Sequence, residues 1–581
     1  MNTILVSLNS KYIHSNLAIR YLSKYVSSMK RVDIYEFTIN QSPEFIASEI
    51  YRLSPNLVGF STYIWNLKET LGVCEILKLV KPDLKILLGG PEVSYDGEII
   101  MEEYPFIDYI IYGEGEETFK EFLQKEPKGE LEDIRGLIYR EGDRIIKNPE
   151  RDLIMDLNTI PFPYDEGSRG LENRIVYYES SRGCPFNCQY CLSSTIRGVR
   201  YLDLDRVKRD LSFLIDEKVK QVKFVDRTFN ANKEHAMEIL KFIKEKDPDN
   251  INFHFEITAH LIDQDFLDLL KDVKEGLFQF EIGVQSTNDE TIDAIKRTTD
   301  FTQLSDVVRT IKSFKNIHLH LDLIAGLPYE GYDSFKESFN DVYNLRPEKL
   351  QLGFLKLLKG SGLRLNQAKH GYKYIDEPPY QVLESKYISY GDLLKLKDIE
   401  DLVEKYYNEG YFENALNYLI KEYYNSPFDF YEDFSSYWVS KAYHKIFHSR
   451  DKLYKILLEF VNYKEFKDEF FVEVLKFDYL LNNKNPKLNF NKDVNFRLNL
   501  HDLLKNEDLL DEYLYEFKDM PTKKLINRVV VEAFKFNILG AIGKDFEEKK
   551  QEESYILFLH RDGVISRGSV YDISRIVREM I

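Results

Sequence analysis

Thiols are scarce in this chain: four cysteines among 581 residues, beside two tryptophans and seven methionines. Four thiols cannot make the disulfide framework of a secreted protein, and a reducing cytoplasm is the expected setting. Excess positive charge is missing as well. Lys and Arg total 79 against 97 Asp and Glu, a formal net charge of −18. So acidic a chain lacks the broad basic face that nonspecific binding to DNA or RNA phosphate needs. The N-terminus, MNTILVSLNSKYIHS, has no basic region followed by a long apolar run, so no secretory signal is expected. No uninterrupted apolar run reaches the ~18 residues of a membrane span. With 43% hydrophobic and 30% charged residues, what is left is an ordinary globular chain with room for three or four domains.

What is present is a regular alternation of strand and helix signals. Apolar, β-branched runs occur at ILVSLN (4–9), VDIYEFTI (32–39), LVGFSTYI (57–64), KILLGGP (85–91) and IDYIIYGEG (107–115), with helical patterns between them. Such a series predicts a doubly wound parallel sheet over residues 1–125, with ligands at the carboxyl ends of its strands. The loops of interest are then Ser7–His14, Ser61–Trp65, Gly89–Ser94 and Gly113–Thr118. Residues 126–172 predict a hairpin turning on Glu141-Gly142-Asp143, then an extended linker with two prolines, DLNTIPFPYD. Six further β/α units from 173 to 365 predict a partial (β/α)6 barrel, short of the eight units of a full one. Residues 366–581 are rich in Tyr and Phe and read as a mostly α-helical domain whose aromatics form its core. That domain closes on two strand-like runs joined at Asp562-Gly563.

Three of the four cysteines stand within eight residues: Cys184, Cys188 and Cys191, in ESSRGCPFNCQYCLSS after the first barrel strand. A structural zinc site takes four ligands, and no Cys or His follows closely to complete one. A disulfide leaves one thiol over. Three thiolates on an iron–sulfur cluster leave one iron open to a substrate or cofactor. Zinc-bound or simply buried cysteines remain the alternative at this level.

The C-x3-C-x2-C spacing, with Tyr190 before the last cysteine, resembles the motif of radical S-adenosylmethionine (SAM) enzymes, and the likeness extends over 175–360. It implies a [4Fe-4S] cluster on Cys184, Cys188 and Cys191, at which SAM is cleaved reductively. It also implies cofactor contacts. Gly283 and Gln285, in FEIGVQS, end the fourth strand against SAM, and Arg297 pairs with the SAM carboxylate. Glu256 meets the ribose or amino group, and DLIAGLP lies near adenine. Arg297 as a solvated charge and Glu256 as a paired structural carboxylate are the plainer readings.

The N-terminal domain resembles the cobalamin-binding domain of B12-dependent radical SAM proteins, through LVGFSTYIWN, ILLGGPEVS and DYIIYGEGEETF. Ser61, Thr62, Gly89, Gly90, Glu114 and Gly115 are the cobalamin-side candidates. The Asp-x-His-x-x-Gly signature of many such domains is absent. The one His-x-x-Gly, His560 to Gly563, reads as a hairpin turn, so the resemblance implies base-off cobalamin. Tyr63 or Trp65 is available to cover its lower face, or Trp65 packs the core. Cys74 reads as a small core residue. KYIHSNLAIRYL and the aromatic tail resemble one subgroup of these proteins, whose C-terminal domain has no known function.

The activity implied is methyl transfer to an unactivated carbon. The alternatives are a radical rearrangement or oxidation without methyl transfer, and a cluster- or corrinoid-binding sensor. Sulfur insertion wants three more cysteines and is disfavoured. A small molecule, peptide or lipid is the expected substrate class, a flavodoxin- or ferredoxin-type protein the expected electron donor. DNA is not an expected partner, and RNA is disfavoured by the charge.

Overall fold

A computed structural model describes residues 2–164, 171, 173–196, 198–488, 490, 499–560 and 568–581. The turn expected at Asp562-Gly563, and with it the His560–Gly563 hairpin reading, lies outside the described residues.

The first sheet has seven strands: β1 (Thr3–Asn9), β2 (Asp33–Thr38), β3 (Leu57–Ser61), β4 (Lys85–Gly89), β5 (Tyr109–Ile111), β6 (Leu137–Glu141) and β7 (Arg144–Lys147). Their order is β2-β1-β3-β4-β5-β6-β7, parallel through β5 and antiparallel beyond it. All seven residues of β1 are buried. Helices on both faces explain its continuous apolar run, as in other parallel sheets. The sequence sets where those helices begin. Asn16 caps Leu17–Tyr25 through its side-chain oxygen, and Ser42 caps Pro43–Arg52 with proline at the first turn. The strand order reverses between β1 and β3, so a crevice opens outside their carboxyl ends. The expected hairpin is present as β6–β7, but it pairs with β5 and extends this sheet instead of standing apart with the linker.

The second sheet is a six-stranded partial barrel, β8 (Ile175–Tyr178), β11 (Gln221–Phe224), β12 (Asn252–Ile257), β13 (Phe278–Gln285), β14 (His318–Ala325) and β15 (Lys349–Phe354). A two-stranded hairpin, β9 (Ser181–Cys184) with β10 (Gly198–Tyr201), is inserted after β8. Along β13 and β14 apolar residues are buried and alternate with half-buried polar ones: Gln279 and Glu281, then His318, His320 and Asp322. Period-two alternation puts the polar set on one face, and a strict register makes its members neighbours. The loop after β1 reaches the free edge of β8. Ile175 N–H donates to Ile13 O at 2.7 Å, and Ser15 Oγ donates to Ile175 O at 3.0 Å.

One compact unit comprises residues 1–347 and 351–393 and holds both α/β sheets. The other unit comprises 348–350 and 394–581. It holds the helices Glu413–Tyr423, Pro427–Ser440, Arg450–Tyr463 and Glu469–Asn482, with a three-stranded antiparallel sheet at Val529–Phe534, Ser554–Leu559 and Ser569–Asp572. Tyr406, Phe434, Trp438 and Phe460 are fully buried against one another, so the aromatic abundance fills this core.

Candidate cluster and cofactor site

The three cysteines lie at the carboxyl end of β9 and in the loop behind it, all as free thiols. Cys184 and Cys191 are half-buried and Cys188 is buried. Burial pushes the Cys188 thiol up, against the pull of the Arg297 guanidinium. Donors surround the sulfurs. Arg297 Nη1 lies 3.8 Å from Cys188 Sγ, Ser193 N–H donates to Cys191 Sγ at 3.4 Å, and Thr228 Oγ1 is 3.6 Å from Cys184 Sγ. Such contacts stabilise thiolates and tune a bound cluster, so these thiols suit one.

The loop is anchored from beneath by a residue that sequence reasoning passed over. Asp226 is fully buried and accepts from Ser180 N–H at 2.8 Å, Ser181 N–H at 2.7 Å and the Ser180 hydroxyl. Burial pushes its carboxyl up to about 7, although three donors hold it down. Its only signal in the sequence is an acid two residues past β11.

The SAM-side candidates converge. Arg297 Nη1 donates to the Tyr190 hydroxyl at 3.0 Å and Nη2 to the Gly283 carbonyl. It is half-buried and committed to the cysteine loop, which removes the reading as a solvated charge. A Cβ on Gly283 would lie 2.1 Å from Gln285 Nε2 and 3.3 Å from Arg297 Nη2, so a larger residue there would displace the Gln285 side chain. Gln285 is 8% exposed and held at φ 74°, beside a register shift between β13 and β14. A non-glycine residue in that region is strained, and such strain gathers at functional sites. Gln285 Oε1, Asp322 Oδ1 and Arg297 Nε are buried with no hydrogen-bond partner. Buried polar atoms are almost always satisfied, so three orphans on one rim fit a site shaped for a polar ligand. Glu256 is half-buried beside Glu281 in register; burial raises its pKa, opposed by Arg227.

The cobalamin-side candidates divide. Ser61, Thr62, Gly89 and Gly90 meet at the ends of β3 and β4. Ser61 Oγ accepts from Asn16 Nδ2 at 3.1 Å, and both Thr62 N–H and Thr62 Oγ1 donate to Gly89 O, at 2.7 and 2.9 Å. Gly90 has φ 116°, and a Cβ there would strike Thr62 O at 2.4 Å, so the close approach of these loops requires glycine. Trp65 is 45% exposed and stacks on Tyr63 with ring centroids 4.5 Å apart, so it is a surface aromatic and not a core one. Cys74 is fully buried within Leu67–Val80, as read from sequence.

Glu114, beside Gly115 at the start of the helix Gly115–Lys125, is already engaged. Its carboxylate accepts from Arg200 at 2.7 and 3.0 Å and from Ile154 N–H at 2.7 Å, and Arg182 lies 3.3 Å away. Burial opposes ionisation there, but Arg200, Arg182 and the Ile154 amide hold the carboxyl below its usual range. Arg182 also pairs with Glu116 and Glu179, both at 2.8 Å. Arg182 and Arg200 are register partners on the cysteine hairpin. A buried ion network thus joins the loop after β5 to the hairpin that carries the cluster ligands. His14 Nδ1 lies 2.7 Å from the Tyr177 hydroxyl on β8, a second such joint. A third comes from residues beyond the barrel, where Tyr380 Oη donates to buried Glu92 at 2.7 Å.

Comparison with known proteins agrees with this layout. Family models match the B12 binding domain over residues 4–123, the radical SAM superfamily over 178–342 and a protein family of unknown function, DUF4080, over 368–558. An uncharacterized methyltransferase of Pyrococcus horikoshii is 32% identical over 296 residues, covering 49% of this chain and 63% of its own. The cobalamin-dependent radical SAM methyltransferase TokK of Streptomyces tokunonensis is 24% identical over 364 residues, covering 58% and 52%. The chain therefore spans only about half to two-thirds of these relatives. In fold it is similar to the cobalamin-dependent SAM radical enzyme OxsB, solved with aqua-cobalamin and SAM bound. That match has a TM-score of 0.58 at 16% identity and covers 82% of this chain and 78% of that one. The two cofactor-binding domains carry the cofactor set with them: a [4Fe-4S] cluster, SAM and cobalamin. Among the described residues no helix is long and apolar enough to cross a membrane. The three matched segments give the chain, in this order, a B12 binding domain, a radical SAM domain and a DUF4080 C-terminal domain.

Proposed function

We propose that this protein is a cobalamin-dependent radical SAM methyltransferase acting on an unactivated carbon. The observation that carries the reading is the ion network of Arg182 and Arg200, which ties the loop after β5 to the cysteine hairpin. A B12 domain so fastened is held for joint work with the cluster. When bound, the cluster and SAM supply a 5′-deoxyadenosyl radical, and cobalamin supplies the methyl group; the cofactors do the hard chemistry.

The chain's own residues bind and orient. Cys184, Cys188 and Cys191 hold the cluster, and Arg297 steadies Cys188 as thiolate. Gln285 and Asp322 present unpaired acceptors to donor groups on SAM, with Gly283 leaving room and Glu256 beside them. Ser61, Thr62, Gly89, Gly90 and Gly115 form the corrin-facing edge, with Trp65 exposed there as an aromatic cover. Glu114 acts through Arg182 and Arg200 as a positioning residue, not as a corrin contact. A flavodoxin- or ferredoxin-type protein supplies electrons. The substrate is a small molecule, peptide or lipid, and the protein works in the cytoplasm.

The test is product analysis under a strong chemical reductant, using methyl-deuterated SAM and the fully loaded protein. The reading expects S-adenosylhomocysteine together with 5′-deoxyadenosine. 5′-Deoxyadenosine without S-adenosylhomocysteine would move the assignment to radical chemistry without methyl transfer. Neither product would favour a sensor.

A further inference from the structure

Below the rim, the barrel strands carry a second set of ligating side chains, outside the candidate cofactor contacts. His254, Glu281 and His320 stand on the adjacent strands β12, β13 and β14. Glu281 is directly opposite His320, and His254 is opposite Gln279, one same-face position lower. One ligand atom from each of the three lies within 4.8 Å of both others, and His254 Nε2 is 3.0 Å from Glu281 Oε2. We propose that His254, Glu281 and His320 form a binding site for a divalent first-row transition metal on the barrel strands.

Two imidazoles and one carboxylate are a ligand set that such ions favour. The protonation pattern suits them. Gln279 Nε2 reaches His320 Nε2 at 3.1 Å and His254 Nδ1 at 3.4 Å. A ring nitrogen that accepts from this amide is unprotonated, the form in which histidine ligates. The Glu281 carboxylate faces both the His254 ring and the Lys223 ammonium, at 3.0 and 3.1 Å. His254 is buried, while Glu281 and His320 are half-buried.

A cation already rests on this carboxylate. Lys223, on β11, places its ammonium 3.1 Å from Glu281 Oε2. Lys223 is therefore a built-in competitor for the metal. Its side chain is 25% exposed, so it has room to swing off Glu281 when an ion enters. A network made only of hydrogen bonds and an ion pair carries the opposite expectation: removing Lys223 then leaves the half-buried Glu281 anion without its ammonium and creates no affinity.

The experiment titrates Mn(II), by the loss of its free six-line EPR signal, into the full-length protein with its cluster in the EPR-silent oxidised state. One Mn(II) per chain is expected in the wild type. Lys223→Met tightens binding about tenfold, while His254→Ala and His320→Ala each weaken it at least about tenfold, the scale of losing one ligand or its support. Iron content and melting temperature identify any variant that fails to fold, and His320→Gln then stands in for His320→Ala. The proposal is overturned if the Lys223→Met protein binds no more Mn(II) than the Lys223→Met, His254→Ala double variant.

Discussion

Two strand-end rims carry the candidate cofactor contacts of this chain, and they are finished differently. On the N-terminal rim the candidate side chains Ser61, Thr62 and Glu114 are engaged within the protein. Thr62 donates to Gly89, Ser61 accepts from Asn16, and Glu114 is fully spent on two arginines and an amide. On the barrel rim Gln285, Asp322 and Arg297 each keep a buried atom without a partner. A large ligand held by shape needs a rigid, self-satisfied edge that approaches it closely. A small charged ligand held by hydrogen bonds needs groups left open to it. Residue types alone do not separate the two, since hydroxyls, glycines and a carboxylate occur at both.

Four substitutions break or sharpen the contrast. The largest effect belongs to the cysteines. Cys191→Ala should abolish cluster assembly, measured as iron content and EPR, and with it 5′-deoxyadenosine formation. Next is Arg182→Gln, which leaves Glu116 and Glu179 without their buried partner and costs about 3–5 kcal/mol, read in denaturant unfolding. The same variant should lose cobalamin on gel filtration while its three cysteines are intact. The contrast itself is tested by a pair. Gln285→Ala should raise the KM for SAM about tenfold, the worth of a hydrogen bond to a charged group. Thr62→Ala gives up one internal hydrogen bond of about 1 kcal/mol and should change cobalamin retention less than about threefold. Reversal of that order would overturn the distinction between the rims.

The smallest effect is a pH slope. Glu330 is fully buried, accepts from Ser286 and Ser338, and is pushed by burial up to about 7. Between its unfolded pKa of 4.5 and about 7 the folded chain holds a proton that the unfolded chain has released. Stability therefore falls as pH rises through that window. Glu330→Gln, neutral at every pH, should flatten this part of the melting temperature profile.

Much of this was legible before any coordinates. Strand runs with buried-sheet composition gave the two α/β sheets, and the cysteine spacing gave the cluster loop, because both are local signals. What sequence reading missed was made by contacts across long separations. Arg182 stands within the cysteine stretch, but nothing local says that it reaches Glu114 and Glu116. Asp226 is one acid after a strand until the fold brings Ser180 and Ser181 onto it. The β6–β7 hairpin was expected, but its attachment to β5 depends on register, which a hairpin does not announce. His254, Glu281 and His320 are three isolated polar residues in three strands until the sheet aligns them. The pairing of Glu114 was hidden too: a glycine-flanked acid looks like a ligand contact, and its arginine partners lie 68 and 86 residues away.

The central claim is that this chain holds cobalamin beside a three-thiolate cluster with no histidine beneath the cobalt. His14, in the loop after β1, is engaged with Tyr177, and the N-terminal rim offers an aromatic pair in place of a nitrogen. The direct measurement is EPR of the cob(II)alamin state after anaerobic reconstitution and removal of free corrinoid. The account predicts one corrin per chain and a base-off spectrum without nitrogen superhyperfine splitting. Loss of the corrin from protein with an intact cluster, or a spectrum split by an axial nitrogen, would contradict it.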